Sequence, residues 1–129
     1  MGTRSLTKVY EHGKVVVCMY RQFDGYPTGH GAELSEFLNQ FAAITNGIAF
    51  GETRKTANGM GCLAAQMVGH FKTEAGGFYL YPTGTVDVGE EYVYHVHQDR
   101  VVVQQVHPRK KLFDGSWDAF TEFCQAVAV

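Results

Sequence analysis

The sequence has few cysteines, few prolines, little net charge and no long apolar run. Its 129 residues include three cysteines and three prolines, and the formal net charge is −2. Because the cysteine number is odd and no CxxC pair occurs, a disulfide framework is not indicated, and reduced, buried thiols in a cytosolic protein are expected. Cys62 lies near an expected helix start, where a thiolate is favoured, so a nucleophilic role stays open for it.

The missing charge and the missing apolar runs exclude several kinds of partner. A net charge near zero argues against a general nucleic-acid or membrane-surface binder. No stretch approaches the roughly 18–20 apolar residues of a membrane helix, and the N-terminus lacks the apolar region of a signal peptide. The short basic cluster 109–111 is expected in a solvated connection. We therefore expect one domain, residues 1–129, in the cytoplasm.

The hydrophobic pattern predicts an α+β domain. Five stretches rich in β-branched and aromatic residues are expected to be strands: 4–10, 14–20, 78–81, 91–97 and 101–107. Three stretches have apolar residues at helical spacing: about 32–45, 59–72 and 116–127. The order β-β-α-α-β-β-β-α brings strands in hairpins, which favours a mainly antiparallel sheet with the helices packed on one face.

The segment 21–31 is the first candidate for ligand binding. It has no hydrophobic period and lies between an apolar strand and an amphipathic helix, so it is expected to be a loop on a rigid scaffold. An arginine can bind phosphate or carboxylate, and an aromatic ring can stack on a base. The alternative is a pair of ordinary turns. The candidate ligand-binding residues of this loop are Arg21, Asp24, Tyr26 and His30.

The second candidate is the expected helix start 58–61. Free N–H groups at a helix start attract anions, and glycine allows a phosphate to come close. Asn58, Gly59 and Gly61 are therefore candidate ligand-binding residues, and Arg54 just upstream would add positive charge. No Walker loop and no GxGxxG follows a strand, so close packing of this helix against a neighbour is an equal alternative.

Histidines and tyrosines of the later strands form two weaker patterns. Glu91, His95 and His97 share one face by alternation. A metal would need three or four converging ligands, so a polar, solvent-facing strand is favoured and no metal is expected, while a general-base role for a histidine stays open. Four alternating tyrosines could form a stacking platform, although packing between strands is favoured: Tyr79, Tyr81, Tyr92 and Tyr94.

Two N-terminal segments, GTRSLT at 2–7 and CMYRQFDGYP at 18–27, resemble a group of small uncharacterised proteins of tailed bacteriophages. The segments GCLAAQ at 61–66 and GFYLYP at 77–82 are similar to that group as well, so the resemblance covers roughly residues 2–97. It implies an accessory phage protein acting in the host bacterial cytoplasm. The group brings no settled activity, and therefore no catalytic residue is carried over.

The leading hypothesis is a phage accessory protein that binds and sequesters a small nucleotide-derived ligand, such as a host immune signal, without turning it over. Arg21 and Arg54 would hold phosphate, Tyr26 would stack, and Asp24 and Asn58 would contact polar edges. No cofactor is assigned. A domain this small has little room for a deep pocket, so we expect binding at a subunit interface and hence a homo-oligomer.

Two other functions remain open. One is a small hydrolase acting on a nucleotide with His30, His95 or His97 as the base. The other is a protein-interaction module that blocks a host factor through an exposed aromatic surface.

Overall fold

The computed structural model describes residues 2–41, 43–45 and 56–126. The chain begins with an antiparallel hairpin of two strands, β1 (Ser5–Glu11) and β2 (Lys14–Arg21). The turn between them uses two residues with positive φ, His12 and Gly13. This conformation closes the two-residue loops that join tightly paired strands, so the expected first hairpin is confirmed.

Six further strands complete the described secondary structure of this type: β3 (Ala43–Thr45), β4 (Thr56–Asn58), β5 (Phe78–Tyr81), β6 (Tyr92–Val96), β7 (Val101–Gln105) and β8 (Lys110–Gly115). The main sheet has the order β5-β2-β1-β6-β7-β8, and β3 pairs with β4 in a separate small sheet. Among the described strand pairs of the main sheet, the central pair, β1 with β6, is parallel and the others are antiparallel. The fold is therefore an α+β fold with a mainly antiparallel sheet, as expected.

The three α-helices of the described residues pack on one face of this sheet: α1 (Ala32–Leu38), α2 (Gly59–Phe71) and α3 (Trp117–Ala126). Their apolar stripes meet alternate residues of the strands in a single core. Its largest fully buried side chains include Tyr94, Phe37 and Phe120. Alternation along β1 and β6 sends every second side chain into this core and the others to the opposite face.

The opposite face, here called the open face, carries no helix in the described residues. A smaller apolar cluster of Leu6, Cys18, Tyr20 and Val93 lies there. The connection 82–91 packs against it through Val88. The polar residues Lys8, His95 and Gln104 lie on the same face, beside this apolar cluster.

The first helix is shorter than expected, and two small strands follow it. The helical stripe predicts 32–45, but α1 ends at Leu38. Asn39 is the C-cap of the helix. Its side-chain amide nitrogen donates to Ser35 O at 2.8 Å and to Thr121 Oγ1 of α3 at 2.6 Å. Phe41 still packs against the core, so the apolar period was real while the backbone had already left the helix.

The basic cluster 109–111 also differs from the expectation, because two of its residues lie in a strand. Residues 109–111 were expected in a solvated connection, but Lys110 and Lys111 begin β8, which pairs with β7. Both lysine side chains remain exposed. The strand forms because Leu112 and Phe113 pack against the core. Since two lysines precede this apolar pair, the sequence pattern did not indicate a strand.

Candidate functional site

The loop 21–31 folds back on the end of β1. Gly25 N donates to Thr3 O at 2.8 Å, and His30 N donates to Asp24 O at 2.7 Å. Its last residues, Pro27–Gly31, form a π-helical turn that leads directly into α1. The loop is therefore held by its own backbone and by the N-terminal segment.

Arg21 uses its guanidinium within the fold. Its Nε donates to Phe23 O at 2.6 Å, Nη1 lies 3.2 Å from His30 Nδ1, and Nη2 pairs with Glu33 at 3.1 Å. The guanidinium also lies over the ring of Phe78, 5.0 Å from its centre. With its side chain 11% exposed, Arg21 joins the loop to α1 and β5.

His30 is a core residue. It is completely buried, and its ring contacts the rings of Phe71 and Tyr94. Its Nε2 lies 2.7 Å from Thr7 Oγ1. Since the arginine can only donate to Nδ1, Nε2 carries the hydrogen and donates to Thr7. Burial, together with Arg21, lowers the pKa of His30 to about 3, so the imidazole is neutral near pH 7.

Asp24 and Tyr26 stay at the surface. The Tyr26 hydroxyl donates to Asp24 Oδ1 at 3.2 Å, and this bond raises the pKa of the tyrosine. Asp24 has a positive φ of 61°, which fits a turn residue. Of the four loop candidates, these two have exposed side chains, and Arg21 and His30 are turned inward.

The helix start 58–61 lies at the other end of the sheet. Arg21 pairs with Ser5 at one end of β1, whereas the Glu11 carboxylate at the other end comes 3.3 Å from the position a Cβ of Gly59 would take. The length of β1 separates these ends by about 20 Å. The two expected segments therefore do not meet, and Arg54 lies outside the described residues.

Polar residues of the open face form a different arrangement. The Tyr10 hydroxyl lies 2.7 Å from His95 Nδ1, and His95 Nε2 lies 2.7 Å from Gln104 Oε1. Because the amide oxygen can only accept, Nε2 carries the hydrogen, and Tyr10 donates to Nδ1. Burial lowers the pKa of His95, which keeps this ring neutral. The chain of bonds crosses β1, β6 and β7.

Beside this chain the open face contains a cavity of about 230 Å³, here called the sheet cavity. Its floor is formed by β1, β6 and β7, and one wall by the connection 82–91. Its polar lining residues are Lys8, Asp87, Glu90, His95, Gln104, Gln105 and Arg109. This volume is below the usual range for a drug-sized ligand, and it suits a phosphate or carboxylate group.

Lys8 is the unusual residue of the sheet cavity. It is 9% exposed, and it forms no ion pair with any residue that the structure describes. Glu90, the buried carboxylate of the same cavity, instead accepts from the backbone N–H groups of Asp87 and Val88, at 3.2 and 2.8 Å. A lysine this deeply buried usually has an ion-pair partner. Lys8 therefore places a cationic group in the cavity without such a partner among the described residues.

Sequence reasoning missed Lys8, although a signal existed. Lys8 has the same strand phase as Leu6 and Tyr10, and alternation places all three on one face. A lysine between two apolar residues of one face is a candidate for burial. What the sequence does not give is the parallel register that sets Lys8 opposite His95.

The remaining expected patterns are dispersed. Tyr79 packs on the open face beside Tyr20, whereas Tyr94 is buried in the helix-side core, so the four tyrosines form no common platform. Cys62 donates to Gln66 Oε1 at 3.3 Å within α2.

Three further findings concern metal ligands, helix length and similarity to known proteins. In the described part of the chain, no three histidine, cysteine, aspartate or glutamate side chains converge as a metal site requires. The longest described helix has 13 residues, and none of the described helices has the length and apolar character needed to cross a bilayer. Comparison with protein-family models, with curated proteins and with solved structures finds no match to this chain.

Proposed function

We propose that this protein binds and sequesters a small nucleotide-derived ligand whose phosphate lies in the sheet cavity. The observation that carries the proposal is the buried Lys8 side chain, which has no carboxylate partner among the described residues. In the setting implied by the resemblance to phage proteins, the ligand would be a host signalling nucleotide.

The energetics of a buried charge support this proposal. Removing an ammonium group from water costs several kcal/mol unless an opposite charge compensates it. A bound phosphate would supply that charge, and lysine is a common point-charge partner of phosphate. Arg109, an exposed residue at the rim of the same cavity, adds a second cation that can approach the anion from solvent.

The histidines support binding rather than turnover. A general base needs a free ring nitrogen within reach of a substrate proton. Both ring nitrogens of His95 are in hydrogen bonds, and so are those of completely buried His30. The bonded ring nitrogens of His30 and His95 therefore support sequestration of a ligand over its hydrolysis by these two residues.

Isothermal titration calorimetry with cyclic and linear nucleotides tests the proposal. We expect Lys8→Met to weaken the binding of a nucleotide monophosphate at least about tenfold, because one charge-assisted contact is lost. Lys14→Met is the matched control, since Lys14 is exposed at the start of β2, and it should bind as the natural protein does. Equal affinity of the two variants, or no binding of any nucleotide, would contradict the proposal.

The stability of Lys8→Met gives an independent result. If Lys8 serves a ligand, its removal takes away a buried charge that forms no ion pair among the described residues, and the free energy of unfolding in urea should stay the same or rise. If Lys8 instead serves the fold, the variant should be less stable by more than about 1 kcal/mol, and the ligand role would be lost with it.

A further inference from the structure

A second cavity of about 240 Å³ lies at the end of the sheet, where the β1–β2 and β6–β7 turns meet the start of α2. We call it the end cavity. Its described polar lining residues are Tyr10, Glu11, His12, His97, Gln98 and Asp99. Among these described lining residues there is no lysine or arginine, so the end cavity differs in charge from the sheet cavity.

The two cavities are neighbours. Tyr10 lines the end cavity, and its hydroxyl is bonded to His95, which lines the sheet cavity. Tyr10 follows Lys8 by two residues on the same face of β1, a spacing of about 7 Å. In a nucleotide, the phosphate and the base are separated by one sugar, a distance of the same order. A ligand that crosses the Tyr10–His95 pair, which both cavities border, would therefore reach from one cavity to the other.

The end cavity offers the groups that a nucleobase requires. The rings of Tyr10 and His97 are stacked, with centres 4.4 Å apart and planes inclined by 22°. Burial, with a contribution from Arg100, lowers the pKa of His97. The ring is therefore neutral near pH 7 and can extend the stack to a neutral base. Glu11 and Asp99 supply carboxylate oxygens, which accept hydrogen bonds from amino groups and repel a second phosphate.

We propose that the end cavity is a base subsite: it receives a nucleobase with an exocyclic amino group, stacked at the Tyr10–His97 pair, while the phosphate of the same ligand lies at Lys8. This inference rests on the proposed function, because it requires a phosphate in the sheet cavity. It adds the class of base, and it gives the acidic turn residues Glu11 and Asp99 a part in selecting it.

Calorimetry of the intact protein with three ligands tests the subsite: ribose 5-phosphate, uridine 5′-monophosphate and guanosine 5′-monophosphate. We expect the guanosine nucleotide to bind roughly tenfold more tightly than ribose 5-phosphate, as base stacking allows. The uridine nucleotide should fall between them, because uracil has no amino group. Asp99→Asn should reduce the difference between the two nucleotides.

Two variants of His97 separate the subsite from a structural effect. His97→Ala should bind the guanosine nucleotide no better than ribose 5-phosphate, with the ribose 5-phosphate affinity unchanged, and His97→Phe should retain the preference because it keeps a ring to stack on. His70→Ala, at the opposite end of α2, should behave as the natural protein does.

The failures of the two proposals are distinguishable. If ribose 5-phosphate binds through Lys8 and all three ligands bind equally, the base subsite is wrong and the phosphate site stands. The subsite is also wrong if His97→Ala weakens ribose 5-phosphate as much as the guanosine nucleotide. If none of the three ligands binds, the base subsite is wrong, and the proposed function fails as well when none of the other cyclic and linear nucleotides binds.

Discussion

His30 and Lys8 are both ionisable residues with little or no exposure, and the fold accommodates them differently. His30 lies in the core between Thr7 and Arg21, which occupy its two ring nitrogens. Lys8 reaches a cavity in which it has no ion-pair partner among the described residues. A satisfied buried group contributes to the fold, whereas a buried cation without an ion pair at a cavity is a candidate for ligand binding.

His30 should make stability depend on pH. Its pKa is about 3 in the folded protein and near 6.5 when unfolded, so the unfolded chain takes up a proton first as the pH falls. The contribution of His30 is therefore fully present above about pH 6.5 and is lost towards pH 3, by about 1.4 kcal/mol per pH unit.

Urea unfolding of His30→Gln at pH 7 and at pH 4.5 checks this expectation. Glutamine can accept from Arg21 and donate to Thr7 but does not titrate, so the variant should lose less stability between the two pH values than the natural protein. His70→Gln, an exposed histidine, is the control. Parallel losses in His30→Gln and the natural protein would show that burial of His30 is not the cause.

At the residue scale, chemical type was predictable from the sequence and partnership was not. Arg21 and His30 attract notice because such residues in a glycine-rich loop often contact ligands. Their partners Thr7 and Glu33 are set by strand register and by the angle of α1, which a single sequence does not specify. For the same reason the register that sets Lys8 opposite His95 of β6 could not be predicted.

At the element scale, the loop 21–31 is fixed by close backbone packing. A Cβ on Gly25 would come 2.8 Å from Ser5 Cβ and 2.9 Å from Thr3 O, closer than real Cβ atoms approach. The loop thus seals the end of β1, where Tyr94 also donates to Gly25 O at 2.7 Å. Glycine is required here for space.

Gly25→Ala should lower the free energy of unfolding by about 1–3 kcal/mol, since the backbone of the loop or of β1 must shift. Gly61→Ala is a suitable comparison: it lies in α2, nothing comes within 4 Å of its Cβ position, and alanine is the better helix former by up to about 1 kcal/mol. Urea unfolding should give opposite signs for the two variants. A neutral Gly25→Ala would mean that the loop is not tightly docked.

The elements themselves were largely predictable, because strands and helices have local periods. The helix α1 was overextended because Phe41 and Ile44 keep helical spacing after Asn39 has ended the helix. The strand β8 was missed because two lysines precede its apolar residues. Both errors arise where tertiary contacts decide between two local patterns.

At the scale of the whole molecule, the sheet consists of two antiparallel halves, β5-β2-β1 and β6-β7-β8. Hairpins indicate the pairs that are neighbours in sequence. They do not indicate that β5 returns to β2, nor that β1 and β6 join the halves in parallel. The fold class could therefore be predicted, while the strand order, and with it the position of the site, could not.

A homo-oligomer stays a prediction, and the β5 edge of the sheet is where we expect it. Leu80 and Tyr79 of this edge strand are 57% and 45% exposed, and an apolar edge strand favours pairing with another chain. Leu80→Glu should yield a monomer in size-exclusion chromatography with light scattering. Val86→Glu, equally apolar and exposed but in the connection 82–91, should keep the mass of the natural protein, and a monomeric natural protein would contradict the expectation.

The parallel pair β1–β6 also has a consequence for the order of folding. Its two strands are separated by most of the chain, and contacts of such long range form slowly because a large loop must close first. Lys8 lies on one side of this seam and His95 on the other. The sheet cavity therefore forms only when the two halves dock, and a chain in which either half is folded alone lacks it. A ligand bound there, as we propose, would stabilise the docked form over all earlier ones by mass action.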